Sequence, residues 1–135
     1  MDGFLHNPDG PAINDKNHKE WWLHGVRHRI DGPAIIINDI EEWWLHGVRH
    51  RVDGPQCTVK GKFRIWIQND KVHRLDGPAY IADDGSGEVR WFVDDINVTE
   101  SVSQWMSSGA VPENHEDWTD QHKMLFKLVY GKPVT

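Results

Sequence analysis

Asp-Gly-Pro recurs at Asp9, Asp31, Asp53 and Asp76, at intervals of 22, 22 and 23 residues. Between these corners Trp-Trp-Leu-His-Gly-Val-Arg-His-Arg stands at 21–29 and again at 43–51. It weakens to Ile-Trp-Ile-Gln-Asn-Asp-Lys-Val-His-Arg at 65–74 and leaves Arg-Trp-Phe-Val at 90–93. A unit this short cannot enclose a core of its own. It must bury its apolar side against the next unit, which is the logic of solenoids and hairpin arrays. With units starting near 9, 31, 53 and 76, residues 1–98 read as a repeat region and 99–135 as a C-terminal cap.

Within a unit the pattern is β. Ala34-Ile35-Ile36-Ile37 is a β-branched run, and Asn38-Asp39 supplies turn chemistry. Glu42-Trp43-Trp44-Leu45 makes the return strand and His46-Gly47 the next turn. An extended stretch from Val48 to Val52 leads to the Asp53-Gly54-Pro55 corner, where proline ends strand pairing. The expected fold is mainly β, an antiparallel meander of stacked β-hairpin repeats with a small α-helical C-terminal cap. Eight tryptophans supply the bulk that fills such a stack. Aligned by position, Trp22, Trp44, Trp66 and Trp91 form a persistent column assigned to the core. Its neighbour drifts from Trp21 and Trp43 to Ile65 and Arg90. Adjacent strand residues point to opposite faces, so Trp21 and Trp43 are placed on the outer side or left only half covered.

In the cap, Thr99 is positioned to start a helix with Val102, Trp105 and Met106 on one face and Gly109 at its end. Pro112 opens a polar stretch. Thr119 or Asp120 caps a last segment, 121–130, stopped by Gly131 and Pro133, with Trp118, Leu125, Leu128 and Val129 as its apolar stripe. Helix is the reading for 121–130, with a buried strand over 124–130 as the alternative.

Charge is unevenly spread. Residues 1–75 carry eleven Lys and Arg against ten Asp and Glu, whereas 76–120 carry Arg90 alone against eleven acids. That imbalance disfavours direct nucleic-acid binding, which needs a basic patch. No apolar run approaches the roughly 20 residues of a membrane span, and the first ten residues lack the features of a secretory signal. A lone cysteine, Cys57, suits a reducing compartment and a small buried hydrophobe. Cytoplasm is the expected location.

Catalytic signatures are missing from the sequence: no Gly-rich phosphate loop, His-Glu-x-x-His or Gly-x-Ser-x-Gly occurs. His28, His50 and His73 hold one register and His24 and His46 another. Histidines of one register stand about 10 Å apart across two strand spacings, too far to share a zinc ion that needs ligands at about 2.1 Å. His24 and His28 flank a turn and can approach each other, but nothing nearby completes a site. No metal or cofactor is expected. Arg29-x-Asp31, Arg51-x-Asp53 and Arg74-x-Asp76 read as a ladder of repeat-to-repeat salt bridges and turn caps. Two interaction candidates remain. One is the aromatic set Trp21, Trp43, His24 and His46, suited to a protein hot spot or a planar ligand. The other is the acidic set Asp94, Asp95, Glu113, Glu116 and Asp117, suited to a basic protein surface.

The units His-Arg-Ile-Asp-Gly-Pro-Ala (28–34), His-Arg-Val-Asp-Gly-Pro (50–55) and His-Arg-Leu-Asp-Gly-Pro-Ala (73–79), alternating with Trp-Trp-Leu-His-Gly, resemble a bacteriophage variety of MORN-like repeat. The resemblance covers about two-thirds of the chain. It implies a sheet of successive hairpins serving as an interaction scaffold in small accessory proteins of tailed phages. Trp-Trp and His-Gly stand where the usual unit has Tyr-x-Gly, so the lipid binding proposed for MORN proteins is not carried over. The reading is therefore a non-catalytic accessory protein in the host cytoplasm that binds, and inhibits, a host protein, with a homo-oligomer allowed. Two alternatives stay open: a sequestering binder of a nucleotide-like signal, and a self-assembling scaffold.

Overall fold

The computed structural model describes residues 5–131. In the first unit β1 (Ile13–Asp15) and β2 (His18–Glu20) form one hairpin, and β3 (Trp22–Leu23) and β4 (Val26–Arg27) a smaller one. The second unit repeats this with β5 (Ile35–Ile37), β6 (Ile40–Glu42), β7 (Trp44–Leu45) and β8 (Val48–Arg49). The third has β9 (Cys57–Val59), β10 (Phe63–Ile65), β11 (Ile67–Gln68) and β12 (Lys71–Val72). The fourth has β13 (Tyr80–Ala82), β14 (Val89–Arg90), β15 (Phe92–Val93) and β16 (Ile96–Asn97). The cap is α1 (Thr99–Ser108), a 3-10 turn at His115–Asp117 and α2 (Asp120–Tyr130).

The longer hairpins join into one antiparallel sheet in chain order, β1-β2-β5-β6-β9-β10-β13-β14. The smaller ones form a second row, tied hairpin to hairpin by amide bonds such as Arg29 N to Trp44 O and Arg51 N to Ile67 O, both 3.1 Å. The architecture is thus the mainly β meander with a helical end. The continuous return strand expected at Glu42–Leu45 is instead broken at Trp43. There the backbone changes partner: the Trp43 amide donates to Gln56 of the next corner at 2.8 Å, and its carbonyl accepts from His50 of its own unit at 3.3 Å.

Equivalent amides overturn the tryptophan alignment. Trp21 donates to Ala34, Trp43 to Gln56 and Trp66 to Ala79, at 2.7, 2.8 and 2.7 Å. The persistent column is therefore Trp21, Trp43, Trp66 and Trp91, and the drifting one is Trp22, Trp44, Ile67 and Phe92. The extra residue of the third unit lies in the Lys60–Lys62 turn, ahead of Trp66, and shifts the count by one. Trp21 and Trp43 thus belong to the stacking column that becomes buried at Trp66 and Trp91.

What that column packs against explains the repeat motif. The Arg29, Arg51 and Arg74 guanidinium carbons lie 3.8, 3.9 and 4.0 Å from the ring centroids of Trp21, Trp43 and Trp66. On its other side each arginine meets the corner glycine. A Cβ built on Gly32, Gly54 or Gly77 stands 2.7, 2.6 or 2.7 Å from that carbon, so any side chain there must push the guanidinium off its seat. Each arginine then donates to the corner aspartate and, at 3.1 Å, to the carbonyl of Pro33, Pro55 or Pro78. The Arg-x-Asp pairs accordingly join the end of one unit to the corner that opens the next, each as a local bridge between residues two apart and not between facing strands. The aspartates are exposed, so these ion pairs add about 0–1 kcal/mol each; the cation–ring contact adds about 0.5–2 kcal/mol.

Coupling between units runs through histidine. Nδ1 of His6, His28, His50 and His73 accepts the backbone amide of His24, His46, Asn69 and Asp94 in the following unit, at 2.9, 2.9, 3.0 and 3.1 Å. Those donors are the first residues of two-residue turns with positive φ, between 49° and 51°, as a type I′ hairpin requires. An imidazole nitrogen accepts an amide proton through its lone pair, so each bond needs a ring nitrogen that carries no proton of its own.

At the far end the cap takes the place of a fifth unit. Thr99 lies inside α1, whose N-cap is Val98 rather than Thr99. Its hydroxyl accepts the Trp91 amide at 2.8 Å, the bond that the next corner supplies elsewhere. In place of a guanidinium, Trp91 stacks on Trp118 with centroids 4.9 Å apart, and Phe126 lies at 5.0 Å. Val102 and Val111 complete this core, with Trp105 and Met106 against it. Residues 120–130 are helical, capped by Thr119 in a capping box with His122 and ended at Gly131; Pro133 lies outside the described residues.

Two results test this scheme. Gly54→Ala should lower unfolding free energy by about 1–3 kcal/mol, the usual cost of overpacking. Gly10→Ala, where the added Cβ meets only Asn7 Nδ2 at 3.6 Å, should change it by no more than about 1 kcal/mol. Urea titration of both variants measures the difference. The second result is a pH dependence. Burial, followed by neighbouring His46, lowers the His28 pKa below 6.5, and burial lowers that of His115 in the same sense. Between the ordinary value and the lower folded one the unfolded chain binds more protons, so stability is full above about pH 6.5 and declines as pH falls below it. His28→Ala should reduce stability at pH 8 and make the decline toward pH 5.5 shallower.

Candidate functional site

The aromatic set is not brought together. Trp21 and Trp43 are half-buried with one ring face each covered by arginine. His24 and His46 sit at exposed hairpin tips, where they stack on His6 and His28 with centroids 4.8 and 4.3 Å apart. Histidines therefore pair across units, and His24 does not meet His28. The second tryptophan column has its own cation, since Arg27 lies 5.1 Å from both Trp22 and Trp44. Glu20 accepts the Trp22 indole N–H. Burial pushes the Glu20 carboxyl up, but hydrogen bonds from His18, Trp22 and Arg27 and the Arg27 charge outweigh it and hold the group below its ordinary value.

The acidic set divides between two places. Asp94 and Asp95 form the turn of the β15–β16 hairpin, and both help fasten it to the third unit. Asp95 accepts the Val72 amide at 2.7 Å, and the Asp94 amide donates to Nδ1 of His73 at 3.1 Å. Glu113, Glu116 and Asp117 are exposed in the cap segment that enters α2. With Asp120 they leave the N-terminal end of that helix strongly acidic, which also suits the helix dipole.

The feature that sequence reasoning misplaced is the outer face of α2. Of the expected inward stripe Trp118 is buried in the core, but Leu125, Leu128 and Val129 face out, and the row of α2 that packs is His122, Phe126 and Tyr130, four residues apart. Phe126 is fully buried, whereas Met124, Leu125, Leu128 and Val129 are 55, 39, 74 and 55 % exposed. At 100° per residue these four fall in one arc of the helix. The spacing of Phe126 and Tyr130 after the Thr119–His122 cap was the available signal.

Two clefts are lined by charged groups. One, of about 790 Å³, lies between the cap and the sheet and includes Arg64, Trp66, Arg74, Ser103, Met106 and Glu116. Its arginines are engaged: Arg64 makes two bonds to Asp83, at 2.8 and 2.9 Å, and Arg74 holds its corner. The other, of about 620 Å³, runs from Asn7–Gly10 to Trp21 and Arg29. Among the described residues no three His, Cys, Asp or Glu side chains converge on a possible metal position, and no helix is long and apolar enough to cross a membrane. Cys57 is half-buried; burial, with Glu42 beside it, pushes its thiol up to about 11, far from a reactive thiolate.

Compared with protein-family models, with curated proteins and with solved structures, the chain matches none.

Proposed function

We propose that the protein is a non-catalytic binding module that engages a protein partner through its C-terminal cap. The observation that carries this reading is the apolar stripe of α2, four large side chains open to solvent on an eleven-residue helix whose other side is packed. Such a stripe is the form taken by helices that dock into an apolar groove. Exposed apolar surface of this kind marks interaction sites more often than chance exposure does. The acids Glu113, Glu116, Asp117 and Asp120 around the helix entrance favour a partner whose groove has a basic rim, because complementary charge raises the encounter rate and sets orientation. On the resemblance to phage MORN-like repeats, that partner is a host protein and the likeness supports an accessory, inhibitory role in an infected cell. The small-ligand reading is less well served. The indoles suggested as stacking platforms, Trp21 and Trp43, each already carry a guanidinium on one face.

The test compares variants of the tagged protein recovered from its bacterial host and weighed intact. A protein bound at fixed stoichiometry to the wild type should be lost in Leu128→Glu and retained in Ile30→Glu, a control at an equally open corner position that is 79 % exposed. Neutralising Glu113, Glu116 and Asp117 together should weaken binding and flatten its salt dependence. Equal recovery with Leu128→Glu and wild type would remove α2 from the interface.

A further inference from the structure

The eight-stranded sheet ends on a strand that still points toward a next unit. In the earlier units the middle residue of the second long strand turns its amide and carbonyl to the unit that follows: Lys19 faces Ile36, Glu41 faces Thr58 and Arg64 faces Ile81. Bonds two residues to either side of Glu41, from Trp43 N to Gln56 O and from Lys60 N to Asp39 O, fix that alternation. In the fourth unit the middle residue is Val89. The Ala82 amide donates to the Glu88 carbonyl at 2.9 Å, so Glu88 is bonded toward β13 and Val89 points the other way, to the free edge. No fifth unit follows, because after β16 the chain enters α1. Thr99 replaces only the corner bond to Trp91, and both residues of β14 are exposed. An edge open in this way is a template for one more strand.

The cleft beside that edge selects the strand. Val89 continues the row of Arg64 and Ile81, and all three line the cleft of about 790 Å³ between cap and sheet. Met106 lines it from the cap, and exposed Glu113 and Glu116 stand at its rim. Neither carboxylate accepts a hydrogen bond from a described residue, whereas Arg64 is bound twice by Asp83 and Arg74 is held by Asp76. The cleft is thus left with negative charge to spare. Trp91 adds a donor: its ring lines the cleft almost wholly buried, and its indole N–H meets no acceptor among the described residues. No side-chain donor among them is sealed away without a partner, so this N–H opens onto the little surface that the ring shows.

We infer that the β14 edge takes an extended segment of a partner protein as a ninth, antiparallel strand, and that the segment carries a lysine or arginine beside Val89. The register is the one Thr58 holds on Glu41. In that register the basic residue exchanges both backbone bonds with Val89, lays its aliphatic stem along Val89 and Met106, and brings its charge to Glu113 and Glu116. Its neighbours, beside Glu88 and Arg90, point to the opposite face. The site uses none of the outer stripe of α2, so it stands or falls separately from the cap helix's role.

Two capped peptides, Thr-Val-Thr-Lys-Thr-Val-Thr and its counterpart with Glu at the centre, probe the edge in amide-resolved NMR titrations of the full chain. The Lys peptide should give saturable shifts at Val89, at the Trp91 indole and over residues 113–116. The Glu peptide should bind at least about tenfold more weakly, the loss of a charge-assisted contact. Val89→Pro removes the outward N–H where an edge strand tolerates proline, and should abolish the shifts at the indole and at 113–116 while the other units keep their spectrum. If that variant fails to fold, N-methylation of the peptide's lysine removes the matching donor and should abolish binding to the wild type. Leu128→Glu should bind the peptide as the wild type does; loss of binding there would place the peptide on α2 and overturn the inference. So would the absence of a saturable shift, equal affinity of the two peptides, or undiminished binding after either N–H is removed. Edge shifts that follow protein concentration instead of peptide would assign β14 to a second copy and overturn it as well.

Discussion

An arginine held between an indole and a glycine is the contact from which the rest of this protein follows. The guanidinium needs a flat apolar partner on one side and a backbone without a Cβ on the other, and it must find acceptors for its N–H groups at the rim. Tryptophan, glycine, the aspartate side chain and the proline carbonyl meet those needs in every full unit. The recurrence of Trp, Arg and Asp-Gly-Pro is thus one requirement written three times. Turn length is free by comparison: the third and fourth units lengthen the turn between their long strands without disturbing the corner, because those turns lie at the other end of the hairpin.

The same contact explains why the two ends of the stack differ. At the N-terminal end Asn7 stands where later units have arginine; its amide reaches the Pro11 carbonyl at 3.1 Å, as the arginines reach theirs, but it brings no cation to a ring. At the C-terminal end Trp91 has no arginine, and the chain supplies Trp118, Phe126 and His115 instead. His115 also takes hold of the preceding corner through the Asp76 carbonyl at 3.0 Å. Cohesion therefore grows along the chain, from an open first unit to an aromatic core at the cap. Repeat proteins divide their stability by unit in this way when neighbouring interfaces are unequal. A firmly held cap is also a suitable platform for an exposed binding helix, since the stripe on α2 is presented by a helix whose inner row is locked.

Period, hairpins and a helical cap were legible in the sequence because they rest on local rules: turn residues, β-branched runs, caps. The tryptophan register was not. A Trp-Trp doublet fits either of two alignments, and the displaced residue at Lys60–Lys62 is visible only as the 23-residue gap between Asp53 and Asp76. The face of α2 was misread for a different reason. Periodicity finds an apolar stripe but does not say that it is buried, and here Phe126 carries the packing while Leu128 does not. The histidine latches were seen as a register without a role, because an acceptor bond to a turn amide in the next unit depends on the stacking geometry and leaves no mark beyond spacing.

Amide hydrogen exchange resolved along the chain tests most directly the claim that the sandwich and the cap, rather than the sheet ladder, set cohesion. The account expects the amides of Ala12 and Trp21 to exchange by local opening of the first unit, and those of Trp66, Trp91 and Val98 to exchange slowest, through global unfolding. Equal protection in all four units, or earliest opening at the cap, would contradict it.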